Sequence, residues 1–278
     1  MSSMSNLGKI VLSTAWKDLV FSYRVWALGS FALRFFWPIT TLASAYLLYE
    51  KLFGGYLGTL FRSATGTSDY ISYVAIGNAL YIYTFSVAFI VGRVSYWDMR
   101  QGVLEAVLLT PANRFLLMGG HILSGIINAT IDFVFLLLVS IPFGLRFGKI
   151  NPFTFGIGFA LTLVAMYGFA LFINTFTLYF RDRTNTSNTI VLLFYAFSGV
   201  ICPVSLLPSW AQIASTLIPL TYGNMIVRAA LTQGTEPVYL TTQIIVLTIL
   251  AFVYVLAGIV SLRFTERDLK RTGKYSVY

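Results

Sequence analysis

In this chain of 278 residues hydrophobic side chains make up 57% and charged ones only 10%, against about 45–50% and about 25% in an ordinary soluble domain. That leaves too little polar surface for a soluble protein and excludes disordered, collagenous, coiled-coil and disulfide-stapled chains; one cysteine (Cys202) and one histidine (His121) exclude an intrachain disulfide and the usual zinc site. The net charge of +9 does not mark a nucleic-acid binder, because the basic residues gather at the ends of apolar runs, the pattern that orients a membrane protein.

Met1 to Gly8 is polar and Lys9 to Arg24 is amphipathic, which predicts no cleavable leader. Leu7, Val11, Ala15 and Leu19 recur at four-residue steps beside Ile10, Trp16 and Val20, while Lys9, Lys17, Asp18 and Arg24 take other positions. This predicts a basic amphipathic helix lying in the membrane plane. Six apolar stretches follow, at about 35–53, 71–91, 115–141, 153–180, 189–207 and 239–262, each near the roughly 20 residues that cross a bilayer as a helix. The runs are continuous and do not alternate with period two, so a β-barrel is not expected. Arg34 is too expensive to bury in lipid and is placed at the interface, with Pro38 in the first turn of the span. The expected fold is an all-α integral membrane protein in one transmembrane domain, 1–278. Residues 1–34 are cytoplasmic and amphipathic, 35–262 hold six spans, and 263–278 form a cytoplasmic tail. With the N-terminus inside, all Lys and Arg except Lys51, Arg62, Arg146, Lys149 and Arg228 face inward, fourteen of the 19, so both ends are expected in the cytoplasm of a cell with this chain in its inner (plasma) membrane.

Two connecting segments stand out. In the inner loop 97–111, Val103, Leu104, Val107 and Leu108 make one apolar helix face, Glu105 stands off it, and Pro111 stops the helix. Such a helix suits docking onto a partner. The stretch from Cys202 to Arg228 is too apolar for a loop and too broken by Pro203, Pro208 and Pro219 to span, which predicts re-entrant helices before the sixth span. Arg228 ends it as a lone cation, either snorkelling to headgroups or holding an exit closed and meeting an anionic group.

These segments make the chain resemble the permease subunit of a type-2 ABC transporter, the exporter class that includes polysaccharide, lipid and drug efflux permeases. The resemblance rests on Gly102-Val103-Leu104-Glu105 through Leu109-Thr110-Pro111 with Arg114 behind. It rests also on Leu207-Pro208-Ser209-Trp210 followed by Pro219-Leu220-Thr221-Tyr222 and Arg228, and on the order of amphipathic helix, six spans and extra helices before the sixth. It implies that Gly102, Leu104, Glu105, Leu109, Thr110 and Pro111 form a coupling element seated on an ABC ATPase subunit. It implies an outer gate of Pro208, Trp210, Pro219, Tyr222 and Arg228. Two permease copies, expected as a homodimer, would work with two ATPase subunits. The Gly-Lys pairs Gly8-Lys9, Gly148-Lys149 and Gly273-Lys274 are followed by Ile10, Ile150 and Tyr275, so none makes a P-loop. ATP and Mg²⁺ are therefore expected on the partner ATPase, with no cofactor or metal on this chain and no enzyme activity of its own.

The resemblance also implies that the first, second and fifth spans line the pathway. Tyr81, Tyr83, Phe85, Phe89, Phe194 and Tyr195, with Asp132 of the third span, are the lining candidates; the alternative is plain packing for the aromatics and capping or hydrogen-bonding a neighbouring helix for Asp132. Such rings can stack on sugars or hold a flat amphipathic compound. The spans carry few deep polar groups for a long glycan, which favours an amphipathic or hydrophobic cargo over a polysaccharide or glycolipid. Asp132 as a deep acid is the sole support for an ion-coupled secondary transporter. An intramembrane enzyme lacks a Ser/His/Asp set at readable spacing, and His121 reads as a packed or interfacial histidine.

Overall fold

The computed structural model describes residues 2–25, 36, 39–47, 56–65, 69–100, 114–180 and 185–272. Among them every regular element is helical, and the one β contact is an isolated parallel bridge between Lys149 and Gln233. The helices are α1 (Ser2–Val25), α2 (39–47), α3 (Tyr56–Thr65), α4 (Tyr70–Arg100), α5 (Arg114–Ser140), α6 (Pro152–Phe180), α7 (Asn185–Phe197), α8 (Ser209–Thr216), α9 (Pro219–Thr232) and α10 (Thr241–Thr272). Short 3₁₀ turns at Val204–Leu206 and Pro237–Leu240 precede α8 and α10.

Stretches of α5, α6 and α10 with its preceding turn (Leu123–Ser140, Pro152–Ile173 and Pro237–Phe264) are long and apolar enough to cross a membrane. Their outward surface fits that medium. Ile127, Ile131, Val134 and Leu138 form an exposed stripe on α5, and Ile245, Ile249, Phe252 and Leu256 form one on α10. A soluble protein would place charges there. α6 sits at the centre, packed along α10 and also against α4 and α9, while α5 packs on α4 and carries α1. The closest approach needs glycine: a Cβ on Gly258 would lie 2.5 Å from the carbonyl oxygen of Gly168, and one on Gly168 would meet the backbone of Tyr254 and Val255. Small residues let helices touch backbone to backbone where no hydrophobic force drives association.

The helix starts at one end of the molecule are capped by side chains. Asp69 accepts the Ser72 N–H at 3.0 Å ahead of α4, and Asn151 accepts the N–H groups of Phe153 and Thr154 at 3.1 and 3.2 Å, with Pro152 at the first position of α6. The 146–151 loop then closes the C-terminus of α9, with Gly148 N–H donating to Leu231 O and Asn151 N–H to Ala230 O. These contacts gather the start of α4, the end of α5, the start of α6 and the end of α9 at one face.

The third and fourth expected spans coincide with α5 and α6 to within a residue or so at each end. α4 runs on past the second to Arg100, and α10 runs past the sixth to Thr272. α3 occupies a stretch read as loop. Of the first span only Phe36 and 39–47 are described, and Arg34 lies outside the described residues. The fifth span is corrected. Its helix ends at Phe197, ten residues before the expected boundary, because Gly199 adopts a left-handed φ of +70° and Pro203 and Pro208 follow. α7 has 13 residues, about 20 Å at 1.5 Å per residue, short of the roughly 30 Å hydrocarbon core.

Candidate functional site

A helix that stops inside an apolar body exposes carbonyls that lipid cannot satisfy. The break after α7 shows where its carbonyls go. Ser215 Oγ lies 2.6 Å from Phe197 O and 2.9 Å from Ala211 O, sharing its proton between them. Asn224 Nδ2 donates to Ser198 O at 3.3 Å. Arg228 Nη1 and the Tyr73 hydroxyl both donate to Gly199 O, at 2.9 and 3.0 Å. Arg228 Nη2 donates to Val200 O at 3.0 Å, and its Nε to Tyr73 O at 3.0 Å. Four consecutive carbonyls are thus held by donors from α4, α8 and α9.

Arg228 is the hub. It is 8% exposed, and its guanidinium carbon lies 3.4 Å from the centroid of the Tyr73 ring. It does not snorkel; it turns inward, because three carbonyls and an aromatic face offer a planar cation more than an exposed position would. Gly77 makes the space: a Cβ there would collide with Nη2. Among the described residues no carboxylate pairs with Arg228.

The prolines divide the segment after the break into short helices. Pro208 caps α8, and Pro219 opens α9 at a position needing no N–H. α9 lies against α6, where Gly223 meets Thr162 and Gly158 meets Ile226, and Tyr254 of α10 donates to Leu217 O at 3.1 Å between α8 and α9. Of the expected gate residues, Pro219 and Arg228 are buried, and Tyr222 packs beside Ala165, Ile226 and Leu247. Trp210 is 65% exposed, with an edge contact to Phe197. Tyr73, Gly77, Ser198, Gly199, Ser215 and Asn224 belong to the constellation and were not in the expected gate.

Beside the break opens a cavity of about 500 Å³. Its charged walls are Arg228, Arg146 and Asp69, its polar walls include Ser72, Thr221, Thr232 and Gln233, and its apolar walls include Phe147, Val204 and Met225. Asp69 is engaged by Ser72 through both oxygens. Among the described residues the buried Thr221 hydroxyl has no hydrogen-bond partner, nor has Asn224 Oδ1.

The aromatic candidates separate onto two faces of α4. Tyr81 meets Phe85 and Tyr195 at 4.6 and 4.7 Å between ring centroids, Phe85 meets Phe194, and Phe194 stacks on Phe169 at 4.2 Å. Tyr195 also donates to Asn78 Oδ1 at 3.0 Å. Tyr83 faces the other way, packed on Phe133 and Phe159 and 4% exposed. Asp132 precedes Phe133 on α5 and is half-buried. The Phe89 side chain lies outside the described residues, as do the coupling residues Gly102, Leu104, Glu105, Leu109, Thr110 and Pro111. At the opposite end, α1 docks on α5: His121 Nδ1 lies 2.5 Å from Asp18 Oδ2, Ser124 Oγ lies 3.3 Å from the same oxygen, and Thr14 fills the space above Gly120. Among the described residues no three His, Cys, Asp or Glu side chains converge as a metal set.

No curated protein matches the chain. The ABC-2 type transporter family matches over residues 12–232, from the exposed face of α1 through the broken segment to the end of α9. A break sealed by its own side chains, inside a bundle whose outer surface is apolar, suits a multi-pass membrane subunit, and by this match the chain belongs to the ABC-2 type transporter family, whose permeases work with an ABC ATPase.

Proposed function

We propose that the chain is the permease subunit of an ATP-driven exporter, pairing with a second copy to form the pathway for an amphipathic or hydrophobic compound. Two ATPase subunits bind ATP and Mg²⁺ and seat the loop carrying Gly102, Leu104, Glu105, Leu109, Thr110 and Pro111. The chain acts as one transmembrane domain: 1–34 at the cytoplasmic surface, 35–262 in the membrane, where the 13-residue α7 crosses only together with the non-helical segment that follows it, and 263–278 as a cytoplasmic tail. α1 lies in the membrane plane, a reading supported by Leu12 and Trp16, which are exposed beside the docked Ala15. The distribution of Lys and Arg supports cytoplasmic termini and an inner-membrane location, with Arg228 at the outer side. Then α8 and α9 form a re-entrant hairpin in the outer leaflet, and Pro208, Trp210, Pro219, Tyr222 and Arg228 act as the outer gate.

The observation that carries this reading is the sealed break after α7 with an amphipathic cavity beside it. A non-helical backbone segment at membrane depth is tolerated where it is buried in protein or lines a wet cavity, and the side-chain donors on its carbonyls and the polar cavity beside it support that placement here. Of the aromatic candidates, Tyr81 and Tyr195 stay half-buried and are the ones placed to line a pathway, while Phe85 and Phe194 are buried in the core beside them. Tyr83, with Asp132, belongs to the α5–α6 side. The test is reconstitution with the partner ATPase in vesicles, screening amphipathic drugs, lipids and glycans for stimulated ATP hydrolysis and ATP-dependent movement. Stimulation by an amphiphile supports the reading; stimulation by a polysaccharide or glycolipid alone replaces the cargo, and transport independent of the ATPase refutes it.

A further inference from the structure

We propose that the cavity beside Arg228 binds a phosphate-bearing anion, with the phosphate at Arg228 and Arg146 and the remainder against Val204, Met225 and Phe147. The proposal deepens the exporter reading, on which its assignment to cargo or lipid rests, but the binding itself does not depend on ATP-driven transport.

Three observations carry it. A guanidinium has five N–H donors, and Arg228 uses three on Tyr73, Gly199 and Val200, leaving one on each Nη for another acceptor. Its charge meets only carbonyl dipoles and a ring, with no carboxylate opposite it among the described residues. A buried cation without an acid partner attracts an anion far more strongly than an exposed one, because water screens it poorly. Next, Arg146 stands exposed on the cavity wall. The single acid in the wall, Asp69, is tied down by Ser72, so the ionisable side chains sum to one positive charge. Lastly, the buried Thr221 hydroxyl on the same wall is unpartnered among the described residues.

Phosphate fits this set better than a carboxylate. Two guanidinium groups and a hydroxyl line the cavity from α9 and from the 146–151 loop, a set that suits a tetrahedral oxyanion with several free oxygens. The volume of about 500 Å³ lies in the range of small-molecule sites. A bare phosphate would leave most of it empty, whereas a phosphoglycerol-sized head with its attached apolar part would reach Met225 and Phe147, both 41% exposed.

The test is titration of the purified full chain in uncharged detergent, without ATPase or nucleotide, reading thermal unfolding and affinity. The probes are dihexanoyl-phosphatidylglycerol, glycerol-3-phosphate and dihexanoyl-phosphatidylcholine. The phosphatidylglycerol should bind saturably and raise the unfolding temperature. Glycerol-3-phosphate binding equally well assigns the site to soluble phosphates; preference for the lipid assigns it to a headgroup, and both outcomes support the site. Arg146→Ala removes one charged donor from an exposed position, so it should fold normally and weaken binding about tenfold. Thr221→Val keeps the volume and should weaken it severalfold. Absence of saturable binding by every probe overturns the proposal, as does equal affinity for phosphatidylcholine or unchanged affinity in Arg146→Ala. Failure of ATP-dependent transport with binding intact would refute the exporter reading alone.

Discussion

Gly77 and Arg228 should be coupled in stability, because the glycine exists to leave room for the guanidinium. A Cβ at position 77 would overlap Nη2 and come 3.1 Å from Val200 O, so Gly77→Ala must push the guanidinium off that carbonyl. One lost hydrogen bond from a charged donor costs about 1.5–3 kcal/mol. Replacing glycine by alanine within a helix returns up to about 1 kcal/mol. Gly77→Ala should therefore destabilise by about 0.5–3 kcal/mol. Arg228→Ala removes all three bonds and the contact with the Tyr73 ring. Gly199 O keeps the Tyr73 hydroxyl, but Val200 O loses its donor. An orphaned buried carbonyl costs about 1–3 kcal/mol and the ring contact about 0.5–2, giving about 2–5 kcal/mol. In the Arg228→Ala background the alanine at 77 no longer meets the guanidinium and keeps only the 3.1 Å approach to Val200 O, so the double variant should lose little beyond Arg228→Ala and fall well short of the sum of the two single losses. Thermal unfolding of the four proteins in detergent, followed by size-exclusion of a fluorescent fusion, measures the cycle. Additive losses would refute the reasoning, because they would mean Gly77 serves some other contact.

Three further outcomes are expected. Glu105→Lys should abolish substrate-stimulated ATP hydrolysis while the permease still folds, since losing one partner of a buried charge costs roughly 2–5 kcal/mol; normal stimulation would remove the loop from coupling. A cysteine at Thr272 in a Cys202→Ala background should resist an impermeant thiol reagent from outside, and labelling there would invert the topology. Asp18→Ala should release α1 from His121 and speed hydrogen exchange along α1, and because both side chains are partly exposed the pair should contribute no more than about 1 kcal/mol; unchanged exchange would show that the Thr14–Gly120 contact alone holds the helix.

The long helices were legible because their cause is long-range in sequence: unbroken apolar runs bounded by polar residues at Arg114, Ser140 and Asn151 place α5 and α6 almost to the residue. The end of α7 was hidden because the run from Ser198 to Leu207 stays apolar, and hydropathy carries no signal for a left-handed glycine at 199. The prolines did announce the segmentation of α8 and α9. Arg228 was visible as a cation out of place, but its acceptors are backbone atoms of Tyr73, Gly199 and Val200, and no side-chain chemistry marks a carbonyl in a sequence. Helical spacing separates Tyr83 from Tyr81 and Phe85, which lie four apart on one face, yet which neighbours each face meets depends on how α5, α6 and α7 pack. Asp18 and His121 are 103 residues apart, beyond any local pattern.

The sealed break also constrains how such a protein can move. Shifting α7 relative to α9 would unpair Ser198 and Val200 at once and leave Gly199 with the Tyr73 hydroxyl alone, and sliding α8 would free Phe197. Each buried carbonyl left bare costs about 1–3 kcal/mol, and the losses fall together because one guanidinium serves two of them. By contrast, the stripes on α5 and α10 meet their surroundings through side chains alone, where displacement exchanges one apolar contact for another. Among the described residues the polar hold of α1 on α5 is the partly exposed contact of Asp18 with His121 and Ser124, beside the close approach of Thr14 to Gly120. Motion is therefore cheapest at α1 and along the apolar stripes, while the start of α4, the end of α7, α8 and α9 travel as one body. Opening a route beside the break then requires either moving that body whole or supplying new donors to its carbonyls, and water entering the cavity at Arg228 is the donor that the geometry admits.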